Sequence, residues 1–301
     1  MKHKFIPFVS LSLFFLSACA QNAPSHAQKE KTPTTEASKA TASPDENAYI
    51  SPEGKDIQSR FQVPQGFERV AVSKNSFGEW LRKVQLKPHG TKARLFNGEL
   101  KTPENVYAAV LGFDVGAKDL QQCADAVMRL RAEYFYALGQ YDKIHFNFTN
   151  GTKAEFTKYA EGYRAVVNGN KVSWVKNAKA DNSYASFRKY MDLVFNYSGT
   201  LSLEKELISK PSWEEIEVGD VVIYGGSPGH CVIVVDMCQN KETGEKRFLI
   251  AQSWMPAQDI HILRNVDNLE ISPWYSNRFE GNFESAECTF YKEHLRTWRK
   301  E

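Results

Sequence analysis

The chain has 301 residues, of which 42% are hydrophobic, 13% aromatic and 25% charged, the composition of a globular protein with room for one large domain or two small ones. Its 38 basic and 36 acidic residues become 36 of each once Lys2 and Lys4 leave with residues 1–18. That balance argues against a nucleic-acid binder held by phosphate contacts, which needs a basic excess.

Residues 1–18 begin with two lysines, continue with an apolar run over 6–16 and lead into Leu16-Ser17-Ala18-Cys19. The run is too short to span a bilayer and reads as the core of a secretory signal. The small residues before Cys19 resemble a bacterial lipobox. The resemblance implies a signal peptide over 1–18, lipidation at Cys19, and a membrane partner reached through acyl chains rather than a charged face. A plain signal peptide cut near Ala20 is the alternative. Ala20 after Cys19, by resemblance to sorted lipoproteins, points to the outer membrane of a Gram-negative bacterium. Residues 19–48, without an aromatic residue, read as a disordered tether. At about 5–6 Å × √n the tether spans roughly 25–30 Å.

From Tyr49 onward aromatics are frequent, and 49–301 reads as a single globular domain, with an N-terminal α/β lobe over 49–116. Ser76-Phe77-Gly78-Glu79 predicts a capping box, and Tyr107 opens an apolar strand. The strongest helical pattern covers 119–138, with Leu120, Cys123, Ala124, Val127, Leu130, Tyr134 and Leu138 on one face and Asp119 as N-cap. A second helix is predicted over 184–197. The last third is strand-rich: 221–224, 231–237, 247–254 and 259–263. Helices followed by strands predict an α+β fold with an antiparallel sheet.

The chemistry centres on Gly225-Gly226-Ser227-Pro228-Gly229-His230, a turn that delivers a histidine to the mouth of an apolar strand. Strand alternation turns the neighbouring Cys231 to the opposite face, so Cys231 and Cys238 read as core cysteines. A hairpin centred near Glu242 sets His230 opposite Trp254, with Gln252 diagonal to it; a one-residue slip would substitute Ser253. Ser253 and Trp254 are therefore cleft candidates, and Gln252 a candidate orienter of the imidazole. Cys123, in the first turns of a helix whose dipole favours a thiolate, is the candidate nucleophile. Gln121 and Gln122 are candidate oxyanion donors. The competing readings of Cys123 are a buried structural cysteine and a disulfide with another of Cys231, Cys238 and Cys288. His145 and His261 read as core or rim histidines.

Gln122-Cys123-Ala124 on a helix, followed by Gly219-Asp220-Val221-Val222-Ile223 and Gly229-His230, resembles the papain-like thiol hydrolases of the NlpC and CHAP type over about 121–253. Those families cut peptidoglycan amide bonds with a helix-borne Cys, a strand-borne His and a third polar residue. The resemblance implies a papain-like fold, Cys123, His230 and Gln252 as catalytic residues, and peptidoglycan as partner. Longer blocks, among them DLQQCADAVMRLRAEY, FRKYMDLVF and AQSWMPAQDIHIL, resemble domain of unknown function 4846 over nearly all of 60–280; that resemblance implies no reaction. The resulting expectation is a cysteine amidase or peptidase of the cell envelope. A non-catalytic envelope-binding protein, a structural lipoprotein and a thiol acyltransferase stay open. No Cys-x-x-Cys, His-x-x-x-His, P-loop or Gly-x-Gly-x-x-Gly spacing is present, so neither a metal nor a cofactor is expected.

Overall fold

A computed structural model describes residues 48–299, all of which fall in one unit, Ser43–Glu301. The segment read as a signal peptide, the lipidation candidate Cys19 and the stretch read as a tether, up to residue 47, lie outside the described residues. Among those described, no helix is long and apolar enough to cross a membrane.

The fold is α+β and is built on one antiparallel sheet. Seven strands run in the order Tyr107–Val110, His261–Leu263, Lys246–Gln252, His230–Asn240, Val221–Tyr224, Leu295–Thr297 and Ile208–Ser209. Phe67–Arg69 pairs with the far end of His230–Asn240, and Tyr275–Ser276 with Lys246–Gln252. The segment read as an N-terminal lobe is thus woven into the sheet through Phe67–Arg69 and Tyr107–Val110. Arg69 and Arg82 clamp it further, binding the fully buried Asp236 of the central strand at 2.8 and 2.6 Å.

Strand alternation explains the two faces. Cys231, Ile233 and Val235 enter the core beneath the helices, while Val232 and Val234 enter a second core with Trp213, Phe248 and Phe290. Burying each such aliphatic side chain contributes about 1.5–3 kcal/mol, which makes a register slip of the central strand costly. Asp236 pairs with Leu249 and Val234 with Ile250, so Val235 is an extra residue bulged out of the ladder. Beyond the bulge the parity reverses, and Cys238 joins the helix-side core.

The helix-side layer is led by Cys123–Ala137 and Tyr184–Tyr197. The second matches its predicted span and is capped by Ser183. The first begins later than 119. Asp119 does not cap it; its carboxylate accepts from Ala257 N and Gln122 Nε2, tying the approach segment to the loop after Gln252. Asp125 instead accepts from the Gln122 N–H at 3.0 Å, and helical backbone starts at Cys123. Gly139, at φ +69°, follows the last turn as expected of a residue that carries no Cβ.

One packing feature has a measurable cost. Glu206 closes the helix Thr200–Glu206, and its carboxylate accepts from Asn147 N at 2.7 Å. Burial pushes its pKa up to about 7, against an ordinary 4.5. A raised carboxyl pKa means that stability present below pH 4.5 is lost as pH rises through 7. Glu206→Gln keeps the acceptor and never ionises. It should raise stability by about 2–3 kcal/mol at pH 8 and leave it unchanged at pH 4. Urea melts at the two pH values check this; equal gains at both would rule out ionisation as the cause.

Candidate functional site

Three elements converge on one point. The helix Cys123–Ala137 delivers Cys123 at its first residue, the central strand delivers His230 at its first residue, and Lys246–Gln252 delivers Gln252 at its last. The turn over 225–229 brings His230 there because it can pack against the helix Thr200–Glu206 without side chains. A Cβ on Gly225 would meet Glu204 Oε2 at 2.6 Å, and one on Gly229 would collide with Thr200 Oγ1.

Cys123 is 7% exposed. Its Sγ lies 3.9 Å from the carbonyl of Gly229, the residue that precedes His230 and Cys231. Its pKa is lowered to about 5, first by the Cys231 thiol as donor, against opposition from burial, and then by the His230 hydrogen bond and charge. Cys231 itself is driven up by burial and next by Cys123, so it stays protonated and donates. The sequence reading of Cys231 as a plain core cysteine is therefore incomplete. Alternation does send it to the helix-side core, but the Cys123 helix begins on that same side. Burial also raises Cys238, to about 12, and Cys288. All four cysteines are free, which removes the bridged alternatives for Cys123.

The His230 Nε2 atom is 2.8 Å from Gln252 Oε1. Which end of that amide faces the ring is fixed from behind. Gln252 Nε2 donates to Glu287 Oε2 at 2.7 Å and lies 3.5 Å from His261 Nε2. Glu287 is an acceptor held by the buried Lys101 at 2.7 Å. His261 Nδ1 faces the Asp259 carbonyl at 2.8 Å and must donate there, leaving Nε2 as an acceptor. With its nitrogen claimed twice, Gln252 offers its oxygen to His230. The neutral His230 ring then carries its proton on Nε2, and Nδ1 is left able to accept one.

Trp254 and Phe290 both pack against the imidazole, with centroids at 4.1 and 5.8 Å. A cleft of about 300 Å³ opens over the thiol, lined by Gln122, Cys123, Asp125, the 226–229 loop, Thr200 and Met255. Among the oxyanion candidates, Gln122 lines this cleft and gives one amide hydrogen to Asp119, leaving a second to donate. Gln121 is turned away, with its oxygen on Arg129 Nη1 at 2.8 Å. Ser253 is fully buried and donates to the carbonyls of Gln121 and Gln258, so it does not line the cleft. Trp274 and Tyr275 are core.

Sequence reasoning missed Lys101 and Glu287 and did not connect His261 with Gln252. No local pattern joins positions 101, 252, 261 and 287. The only signal was His261 in an apolar strand segment. Among the described residues no cluster of three or more His, Cys, Asp or Glu is arranged to hold a metal ion.

The profile of the family described as domain of unknown function (4846) matches residues 57–297. No curated protein and no solved structure shows a significant match.

Proposed function

The chain belongs to the domain of unknown function 4846 family, and we propose that this member is a papain-like thiol hydrolase of the cell envelope that cuts peptide amide bonds of peptidoglycan. The observation that carries the reading is the line Cys123, His230, Gln252: a low-pKa thiol at a helix start, beside an imidazole whose far nitrogen is held by a buried amide. This is the order of a nucleophile, a base and an orienter.

In the proposed reaction the Cys123 thiolate attacks the amide carbonyl. The oxyanion is met by first-turn N–H groups of the helix, which have no intrahelical acceptor, and by the free amide hydrogen of Gln122. The imidazolium of His230 passes its proton to the departing amine as the carbon–nitrogen bond breaks, leaving a thioester. His230 then removes a proton from water, and hydroxide attack releases the carboxylate and restores the thiolate.

Peptidoglycan as substrate is supported by the lipobox and by a tether that would hold the domain within roughly 25–30 Å of a membrane. Cys19→Ala should abolish labelling by a fatty-acid analogue; equal labelling of mutant and parent would refute the anchor.

The central test is release of stem peptides from purified peptidoglycan. Cys123→Ala should reduce it at least about 10³-fold. Parent protein that releases nothing, despite a reactive Cys123, would remove the substrate assignment. A product joined to an added amine, with no new carboxylate, would assign acyl transfer instead.

A further inference from the structure

Gln121, turned from the thiol, faces a second pocket. Its Oε1 accepts from Arg129, and a guanidinium only donates, so the orientation of the amide is fixed. Its Nε2 is left without a hydrogen-bond partner, although the residue is 1% exposed. Arg188 Nη1 is likewise buried without a partner. Both residues line a pocket of about 320 Å³, with Lys118 and Lys189 also in its wall. Buried donors in folded proteins are almost always paired, and two of them in one pocket mark a place for an acceptor.

The charges give the sign of that acceptor. Arg129 is paired with Glu133 at 2.5 Å and Lys118 with Asp192 at 2.9 Å. Asp114, 74% exposed, is shared between Arg188 at 3.4 Å and Arg129 at 3.7 Å. The pocket itself is lined by three cations, Lys118, Arg188 and Lys189, and two carboxylates, Asp114 and Asp192. Burial, and next the charge of Arg129, lowers the Arg188 pKa below its ordinary value, a penalty that an anion would relieve. Leu120 and Phe195 line both this pocket and the cleft over Cys123, so the two adjoin.

We propose that this pocket is a carboxylate subsite, in which Gln121 Nε2 and Arg188 Nη1 hold a carboxylate of the molecule whose amide is presented to Cys123. The second half of that statement rests on the hydrolase reading; the carboxylate site does not. The carboxylate can be a peptide C-terminus or an acidic side chain, and the probes separate the two.

The experiment is isothermal titration of the full chain carrying Cys123→Ala, so that no probe is turned over. N-acetylglycine presents a terminal carboxylate, N-acetylglutamic acid α-amide a side-chain carboxylate, and N-acetylglycinamide none. One of the two acids should bind at least about ten-fold tighter than the neutral amide, with dissociation constants near the millimolar values expected of such small ligands. Adding Arg188→Gln should abolish the preference, and Lys189→Gln should weaken it about two- to three-fold. If the Arg188 variant does not fold, Gln121→Met, which deletes the amide donor, should remove most of it. Equal binding of all three probes, or a preference that survives these changes, overturns the subsite. A preference here, with a parent protein that releases no peptide from peptidoglycan, leaves the carboxylate site standing and removes the peptidoglycan assignment. Peptide release without any preference does the reverse.

Discussion

His230→Ala should lower kcat/KM for peptide release by about 10²–10⁴, the usual worth of a positioned general acid–base group. Activity alone cannot separate lost proton transfer from a lost thiolate, so the same variant should be followed by alkylation. In the parent, the rate of Cys123 modification by iodoacetamide should rise with pH around a midpoint near 5. Removing the imidazole removes a charge-assisted bond worth about 1.5–3 kcal/mol, which moves the midpoint up by about one to two units. At pH 6 the thiolate fraction, and with it the rate, should fall roughly two- to ten-fold; at pH 8 it should hardly change. Cys231→Ala should also move the midpoint up, because that thiol is the largest single influence holding it down. The Cys231 variant should do so with far less damage to catalysis, since it takes no part in proton transfer to the amine. A midpoint unmoved in His230→Ala would mean that the two side chains are not coupled and would end the nucleophile–base assignment. His230 lies at the first residue of its strand, so its loss should leave the sheet intact.

Much of this arrangement was legible because it depends on local rules. Period-2 alternation and a turn after Asn240 set the pairing of 231–237 with 247–254, and hence which residues come near His230. The observed hairpin turns between Asn240 and Glu245 rather than about Glu242 alone, and the bulge at Val235 takes up the one-residue offset. Trp254 and Gln252 both end beside the ring for that reason. The helix Tyr184–Tyr197 was legible because a serine cap and an apolar stripe agree with its packing. The start of the site helix was not. Asp119 has good capping chemistry, but Ala257 N, 138 residues away in sequence, takes its carboxylate. Gln121 and Gln122 look alike in the sequence; only the tertiary position of Arg129 decides that one amide leaves the site and the other stays. The anchor behind Gln252 was invisible for the same reason, being assembled from four separate parts of the chain.

That anchor supplies the second large effect. Glu287→Gln should destabilise the protein by about 3–5 kcal/mol, because Lys101, 2% exposed, would keep a buried charge with no counterion. The change should also loosen the orientation of Gln252. A glutamine at 287 can present either a donor or an acceptor, so the carboxylate no longer forces the Gln252 nitrogen away from His230. With the amide reversed, Gln252 would donate to His230 Nε2, the ring proton would move to Nδ1, and the lone pair facing Cys123 would be lost. The two consequences can be separated. Lys101→Met combined with Glu287→Gln removes both charges and should recover most of the stability, as replacement of a buried pair often does. It should not restore the tautomer. Nitrogen-15 chemical shifts of the His230 ring distinguish the two protonation sites directly in a Cys123→Ala background, where no thiolate holds the ring as imidazolium; there the double variant should show the Nδ1-protonated form and the otherwise unchanged protein the Nε2 form. Catalysis should stay depressed in the double variant even where urea melts return to the parent value. Full recovery of both stability and turnover would reduce Glu287 to a structural counterion and leave Gln252 oriented by His261 alone.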